Sequence, residues 1–277
     1  VFKPLSILKT TVKKFAEGRL KERVWIPRKD EIGELAHAFN SMAEDLSKMH
    51  EGLEKLVDER TNDVVETRNA TIFGLAHLAE YKDKETYRHL ERMSEYAVVI
   101  AKELRKDSEY FSYIDERYID NLFISAPLHD IGKVGIPDVI LLKPGKLTPE
   151  EFEIMKQHTT LGGDLLKNMQ TKLTKKNFLE MGKHVAYGHH ERVDGKGYPR
   201  GLKTEETPVS ARIVALADVY DALRSRRSYK EPFSHAKAVE IIRAGTGMQF
   251  DEKIVHAFLK CEDGILEVAA RLGEEYS

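Results

Sequence analysis

Cysteine is all but missing from this chain of 277 residues, and with Cys261 standing alone no internal disulfide can form. That excludes the small secreted domains stapled by disulfides and makes a reducing cytosol the expected compartment. An excess of either charge is missing as well: 44 Lys and Arg stand against 46 Asp and Glu, for a formal charge of −2. A chain that binds DNA or RNA polymers by bulk counterion release needs a large basic excess, so a phosphate-bearing ligand has to be met by a local cluster. No apolar run approaches the roughly 18 residues that span a bilayer. The first residue is Val1 and not methionine, so the chain reads as a fragment of a longer protein, with any membrane anchor upstream. Alternating runs of strand length, internal repeats and low-complexity tracts are also wanting, and the expected fold is all-α.

What is present first is a heptad rhythm. Leu5, Leu8, Val12 and Phe15 step by three, four and three residues just after Pro4, marking a helix with one apolar seam that Gly18 ends. A connector with Val24, Ile26 and Pro27 follows. Ile32, Leu35, Phe39, Met42, Leu46, Met49, Leu53 and Leu56 then keep the same alternation without a miss, as a coiled-coil seam does. Two short helices cannot bury such seams alone, and a parallel dimer forming a four-helix coiled coil is the natural arrangement. With Pro4, the DEIGEL run at 30–35, and Phe39, Asn40 and Met42, residues 1–53 resemble a HAMP domain, the relay module of bacterial transmembrane receptors. The resemblance implies a homodimer, an upstream sensor region, and a cytoplasmic fragment of a protein anchored in the inner membrane. Past Leu56 the seam turns polar at Arg60, Asp63 and Thr67, while Val57 and Val64 keep a spacing of seven in a shifted frame. Residues 54–71 are therefore expected to be a linker helix carrying a stutter.

Residues 72–277 again read as helical. Helices are expected at about 66–82, 86–105, 115–130, 149–156, 161–168, 177–188, 208–224, 234–244 and 251–260, with Gly and Pro punctuation between them. Metal-ligating residue types gather at few places. Glu85 and His89 lie four apart, on one helix face. His129 and Asp130 are adjacent, offering a nitrogen and a carboxylate that can bridge two cations, near the end of an apolar helix that Gly132 is placed to stop. His158, the pair His189 and His190, and Asp218 with Asp221 complete the set. Asp221 is open to two readings, as a group orienting a ligand or a water, or as a charge on a helix surface. The run HHERVDGKGYP at 189–199 places Gly195 and Gly197 where other residues are conformationally barred, with Pro199 fixing the exit and Tyr198 presented between them.

With HDIGK at 129–133, that run makes the segment resemble an HD-GYP domain, a subgroup of the HD metal-dependent phosphohydrolases that cleaves cyclic di-GMP. The likeness extends over IPDVILLKPGKLT at 136–148, HTTLGGDLL at 158–166, ADVYDALRSRRSYK at 217–230 and GMQFDEKIVHAF at 247–258. It implies His129, Asp130, His158, His189, His190 and Asp218 as metal ligands, with Glu85 and His89, from DKETYRH at 83–89, serving a third ion. Two or three divalent ions are expected, iron first and manganese next, since mixed nitrogen and oxygen donors suit six-coordinate metals better than closed tetrahedral zinc. Three such ions outweigh Glu85, Asp130 and Asp218 by about three charges, which answers how a near-neutral chain attracts a diester.

By analogy, a hydroxide bridging two ions attacks phosphorus while the metals neutralise the developing charge. Asp130 and Lys133 are the implied catalytic residues, and Lys133, Tyr198, Arg227 and Lys230 the implied substrate contacts. The implied reaction is hydrolysis of cyclic di-GMP to pGpG and on to GMP. Hydrolysis of another cyclic dinucleotide and non-cleaving binding are the alternatives. The sequence departs from the family at Arg226 and Ser228, which flank Arg227 where an acidic residue and a proline are usual, and in the lysine-rich insertion TKLTKKN at 171–177. His37, His50, His77, His184, His235 and His256 are read as non-ligands, and Cys261 as packing in a late helix.

Overall fold

In the computed structural model, which describes residues 2–81, 87–173, 177–225 and 231–273, the chain forms two compact units, Val1–Arg68 and Asn69–Ser277. Among the described residues the regular elements are helices, and two isolated β-bridges stand in place of any strand. The all-α expectation holds.

In the N-terminal unit, α1 (Phe2–Ala16) packs through the connector against the first turns of α2 (Glu31–Glu80). The heptad seam divides between two jobs. Leu8 and Phe15, seven apart, meet Ala36, Phe39 and Ala43 in a small core with Val24 and Ile26, where the Phe15 and Phe39 rings stand edge to face at 5.6 Å. Asn40 ties the connector down, accepting from Val24 N at 2.8 Å and donating to Val24 O at 2.7 Å. The other register, Leu5, Val12, Leu35, Met42, Met49 and Leu56, is exposed in the single chain. Residues 54–71 lie within α2, which runs unbroken through the shifted frame.

The C-terminal unit adds α3 (Tyr87–Leu104), α4 (Glu116–Ser125), α5 (Asp138–Leu141), α6 (Pro149–Gln170), α7 (Phe178–Gly188), α8 (Val209–Arg224), α9 (His235–Ala244), α10 (Glu252–Lys260) and α11 (Glu262–Leu272). Its core centres on α8, whose apolar residues surround the helix rather than striping it, as a fully embedded helix requires. Leu90, Met93, Tyr96, Ala97 and Ile100 of α3 and Ile254 and Phe258 of α10 fill the same core.

Three expectations are corrected. The helix expected over 115–130 ends at Ser125 because Pro127 has no N–H to continue it, and the chain tightens into 3-10 turns at Ala126–Leu128 and Ile131–Gly135. The two helices expected at 149–156 and 161–168 are one, α6, opened by a capping box of Thr148 and Glu151. Gly162 and Gly163 do not break it; they make room. A Cβ at Gly132 would stand 1.9 Å from His158 O and 2.5 Å from Gly162 N, and one at Gly163 would stand 2.4 Å from the Tyr187 ring. Finally, Cys261 sits at the junction of α10 with α11, a helix the periodicity missed. Burial pushes its thiol up to about 12, so it is inert.

Close backbone packing at Gly132 predicts that Gly132→Ala destabilises the chain by about 1–3 kcal/mol, the usual cost of overpacking. Gly52→Ala, whose Cβ meets nothing within 4 Å on exposed α2, is expected to add about 0.5–1 kcal/mol through helix propensity. Urea unfolding followed by far-UV circular dichroism measures both.

Candidate metal centre

Where the chain leaves α4, His129 and Asp130 project from the turn between two 3-10 segments into the space bounded by α3, α6, α7 and α8. The Gly132 crossing brings this turn against α6, so that Asp130 Oδ1 lies 3.1 Å from His158 Nε2 and 3.5 Å from His189 Nε2. Asp130 Oδ2 faces the other way, 3.3 Å from His129 Nε2 and 2.8 Å from Lys133 Nζ. One carboxylate thus looks into two clusters. The first is Asp130, His158, His189 and His190, and the second is Glu80, His89 and His129; within each, the ligand atoms lie within 4.8 Å of one another. Asp218, on α8, joins the second side with Oδ1 3.7 Å from His89 Nε2.

The tautomers are set by what the other ring nitrogen meets. His129 Nδ1 lies 3.1 Å from Ala126 O, His158 Nδ1 2.7 Å from Met155 O, and His189 Nδ1 3.1 Å from Val185 O. A carbonyl oxygen accepts and cannot donate, so each Nδ1 carries a hydrogen and each Nε2 is the atom turned inward. For His89 the acceptor is a carboxylate: Nδ1 donates to Asp221 Oδ2 at 2.7 Å. Asp221 is fully buried, and Arg92 grips both its oxygens at 2.7 and 2.9 Å, which removes the helix-surface reading and leaves the orienting one.

Charge follows geometry. Burial opposes ionisation of Asp130, but Lys133 and His129 outweigh it and hold the carboxyl well below the usual carboxylate range. Burial likewise opposes a charge on His129, yet Asp130, Glu80 and Asp218 prevail and raise it to about 9. Desolvation lowers His189, and lowers His190 further with the help of His189, so both rings are neutral donors. Desolvation pushes Glu80 up to about 7. The donor set fits divalent ions. Nε2 atoms turned inward and an Asp130 Oδ1 that, among the described residues, accepts no hydrogen bond despite two nitrogens close by are what ligands look like.

The GYP loop covers one side. Glu191, buried, accepts from Arg200 N at 2.8 Å and Leu202 N at 2.9 Å and so closes the loop on itself. Gly195 has φ +76°, as expected, whereas Gly197 is required for space, since a Cβ would stand 2.4 Å from Arg192 N. Tyr198 lays its ring 4.6 Å from that of His190. Beside it opens a cavity of about 330 Å³ bounded by Phe152, Lys156, Lys196, Tyr198, Asp218 and Gln249, with His189 and His190 also reaching it.

Of the residues expected from sequence, His89, His129, Asp130, Lys133, His158, His189, His190, Tyr198 and Asp218 converge here. Glu85, Arg227 and Lys230 lie outside the described residues. His235 has another task, its Nδ1 standing 2.9 Å from the Tyr220 hydroxyl. Sequence reasoning missed Glu80, Arg92, Glu191 and Lys156. Glu80 had a signal: it extends the buried stripe of Ile72, Phe73, Ala76 and Ala79, where a carboxylate has no place without a partner.

A model of the HD domain family matches residues 75–254, and a HAMP domain model matches residues 1–48. A cyclic di-GMP phosphodiesterase of Vibrio cholerae serotype O1 is 43% identical over 254 residues, covering 92% of this chain and 49% of that protein. One of Thermotoga maritima is 43% identical over 236 residues, covering 85% of this chain and 61% of the other. A 3'3'-cGAMP-specific phosphodiesterase of Vibrio cholerae is 36% identical over 210 residues, covering 76% and 38%. The chain thus spans about half to three-fifths of the length of the first two. In fold it is similar to the crystal structure of a cyclic GMP-AMP specific phosphodiesterase of V. cholerae, with a TM-score of 0.51 at 17% identity over 74% of this chain and 52% of that one.

The orienting role of Asp221 is measurable apart from catalysis. Asp221→Asn is expected to weaken divalent-metal binding by about 10–100-fold, the usual cost of losing a partner behind a ligand histidine, with helical content retained. Titration of metal-free protein by calorimetry checks it, and unchanged affinity contradicts the role.

Proposed function

This chain belongs to the HD domain family, and from that premise we propose that its C-terminal unit hydrolyses cyclic di-GMP to pGpG and GMP under control of the HAMP-matching segment. The observation that carries the proposal is the Asp130 carboxylate facing two histidine clusters beside a cavity bearing lysines and Tyr198. Divalent ions bound there would supply a water activated at neutral pH and neutralise charge on the phosphoryl oxygens. Iron is the first choice and manganese the second, in two or three positions, on the strength of the mixed imidazole and carboxylate donors.

The chain's own residues divide the remaining work. Asp130 is proposed to hold two positions together, and Lys133, which offsets its charge from 2.8 Å, is proposed to meet a phosphate oxygen. His190 and Asp218 line the cavity that receives the substrate, and Tyr198 walls it with an aromatic face suited to a base. Arg227 and Lys230 are proposed as further phosphate contacts from their place in SRRSYK. Relatives named for 3'3'-cGAMP make a mixed dinucleotide the second reading, and the higher identity to those named for cyclic di-GMP, 43% against 36%, favours the first.

The N-terminal unit is proposed to pair with a second copy. The exposed register of Leu5, Val12, Leu35, Met42, Met49 and Leu56 supports this, since a parallel partner would cover it. Among the described residues no helix is long and apolar enough to cross a membrane. A cytoplasmic position below an upstream sensor anchored in the inner membrane is part of the proposal, resting on the HAMP match.

Metal-loaded chain is expected to turn over cyclic di-GMP faster than 3'3'-cGAMP, read by product chromatography. Asp130→Ala is expected to lower that rate by about a thousandfold or more, because ion-mediated charge stabilisation is worth several kcal/mol. Unchanged product formation by the variant would overturn the reading.

A further inference from the structure

Glu80 has no part in the ligand set that the family resemblance implies, which takes its carboxylate from Glu85. Yet Glu80, at the end of α2, is 1% exposed, and among the described residues neither of its carboxylate oxygens has a hydrogen-bond partner. Buried polar groups in folded proteins are nearly always satisfied, and a carboxylate is the costliest exception. The side chain is held on an apolar stripe, so it does not reach water, and its Oε1 points at His129 Nε2 from 3.7 Å.

That distance discriminates between two arrangements. A direct Glu–His hydrogen bond closes to about 2.7–2.9 Å. Two ligands of one six-coordinate ion with bonds of about 2.1 Å stand roughly 3.0 Å apart when adjacent and roughly 4.2 Å when opposite. Glu80, His89 and His129 present atoms all within 4.8 Å of one another, and both rings turn their Nε2 inward, their Nδ1 being engaged by Asp221 and Ala126 O. Asp130 Oδ2 at 3.3 Å from His129 Nε2 and Asp218 Oδ1 at 3.7 Å from His89 Nε2 border the same point.

We propose that Glu80 is a metal ligand, binding with His89 and His129 the divalent ion that Asp130 shares with the His158 cluster. The donor set is two imidazoles and up to three carboxylates, which leaves a sixth position for substrate or water. It suits a hard-to-borderline divalent ion such as manganese or ferrous iron better than a soft one. The inference rests on the metal-dependent reading of this unit.

The test uses the full 277-residue chain, freed of metal and titrated with Mn2+, with bound ions counted and the electron paramagnetic resonance spectrum recorded. Wild-type protein is expected to bind at least two ions and to give a spin-coupled signal from neighbours bridged by Asp130. In Glu80→Gln, close in shape and uncharged, one ion is expected to be lost or weakened by at least about a hundredfold, with the coupled signal replaced by that of isolated Mn2+. Glu80→Asp, which keeps the charge on a shorter arm, is expected to fall between. Far-UV circular dichroism verifies the fold, and if Glu80→Gln does not fold, Glu80→Asp decides alone, wild-type binding by it counting against the proposal. Wild-type stoichiometry, affinity and coupling in folded Glu80→Gln overturn the proposal while leaving the metal-dependent reading intact. Failure of the wild-type chain to bind Mn2+ overturns both.

Discussion

At Gly132 the backbone passes so close to α6 that a methyl group would overlap the His158 carbonyl oxygen. The crossing is a contact between main chains, and its effect is positional: the turn carrying His129 and Asp130 cannot retreat from the helix carrying His158. On the same helix Gly163 lets Tyr187 of α7 approach, and α7 ends by delivering His189 and His190. Small residues at two neighbouring points thus bring five of these side chains, from three parts of the chain, close together. Close-packed interiors transmit such constraints with little slack, so the separation of the ligands is as fixed as the packing of the helices.

The electrostatic design follows from that closeness. Carboxylates and imidazoles collected in a buried space lose hydration that only partners of opposite charge can replace. The chain balances part of it internally, with Lys133 on Asp130 and Arg92 on Asp221. Counting Glu80 with Asp130 and Asp218 sets three carboxylates around His89 and His129. A chain with a formal charge of −2 therefore concentrates charged groups in a buried centre that whole-chain composition does not register.

Much of this was legible beforehand, and the reasons are specific. His129, Asp130, His158, His189, His190 and Asp218 stood out because adjacent metal-ligating types beside a glycine-rich loop are rare combinations. The heptad registers were legible because their period is strict. Glycines were harder: Gly162 and Gly163 serve as packing notches, a role that depends on what crosses the helix and not on the helix itself. Pro127 was overlooked inside an apolar run and moved a helix end by several residues. Glu80 was passed over as one charge among many on a long polar helix, although the apolar positions before it already marked its face. Arg92 and Asp221 are 129 residues apart in sequence, and no local pattern pairs them.

The histidine tautomers have a consequence for how the centre comes into being. His129, His158 and His189 each hand their Nδ1 hydrogen to a carbonyl three or four residues earlier, so the aim of these rings is settled within a single turn of chain. His89 is different: its acceptor lies 132 residues away on α8. A chain that has formed its helices has thereby aimed three rings, whereas the fourth is aimed only when α3 and α8 have met. Long-range closure of that kind is the slow, entropically costly part of folding. Three of these rings are thus aimed by local geometry and one by topology.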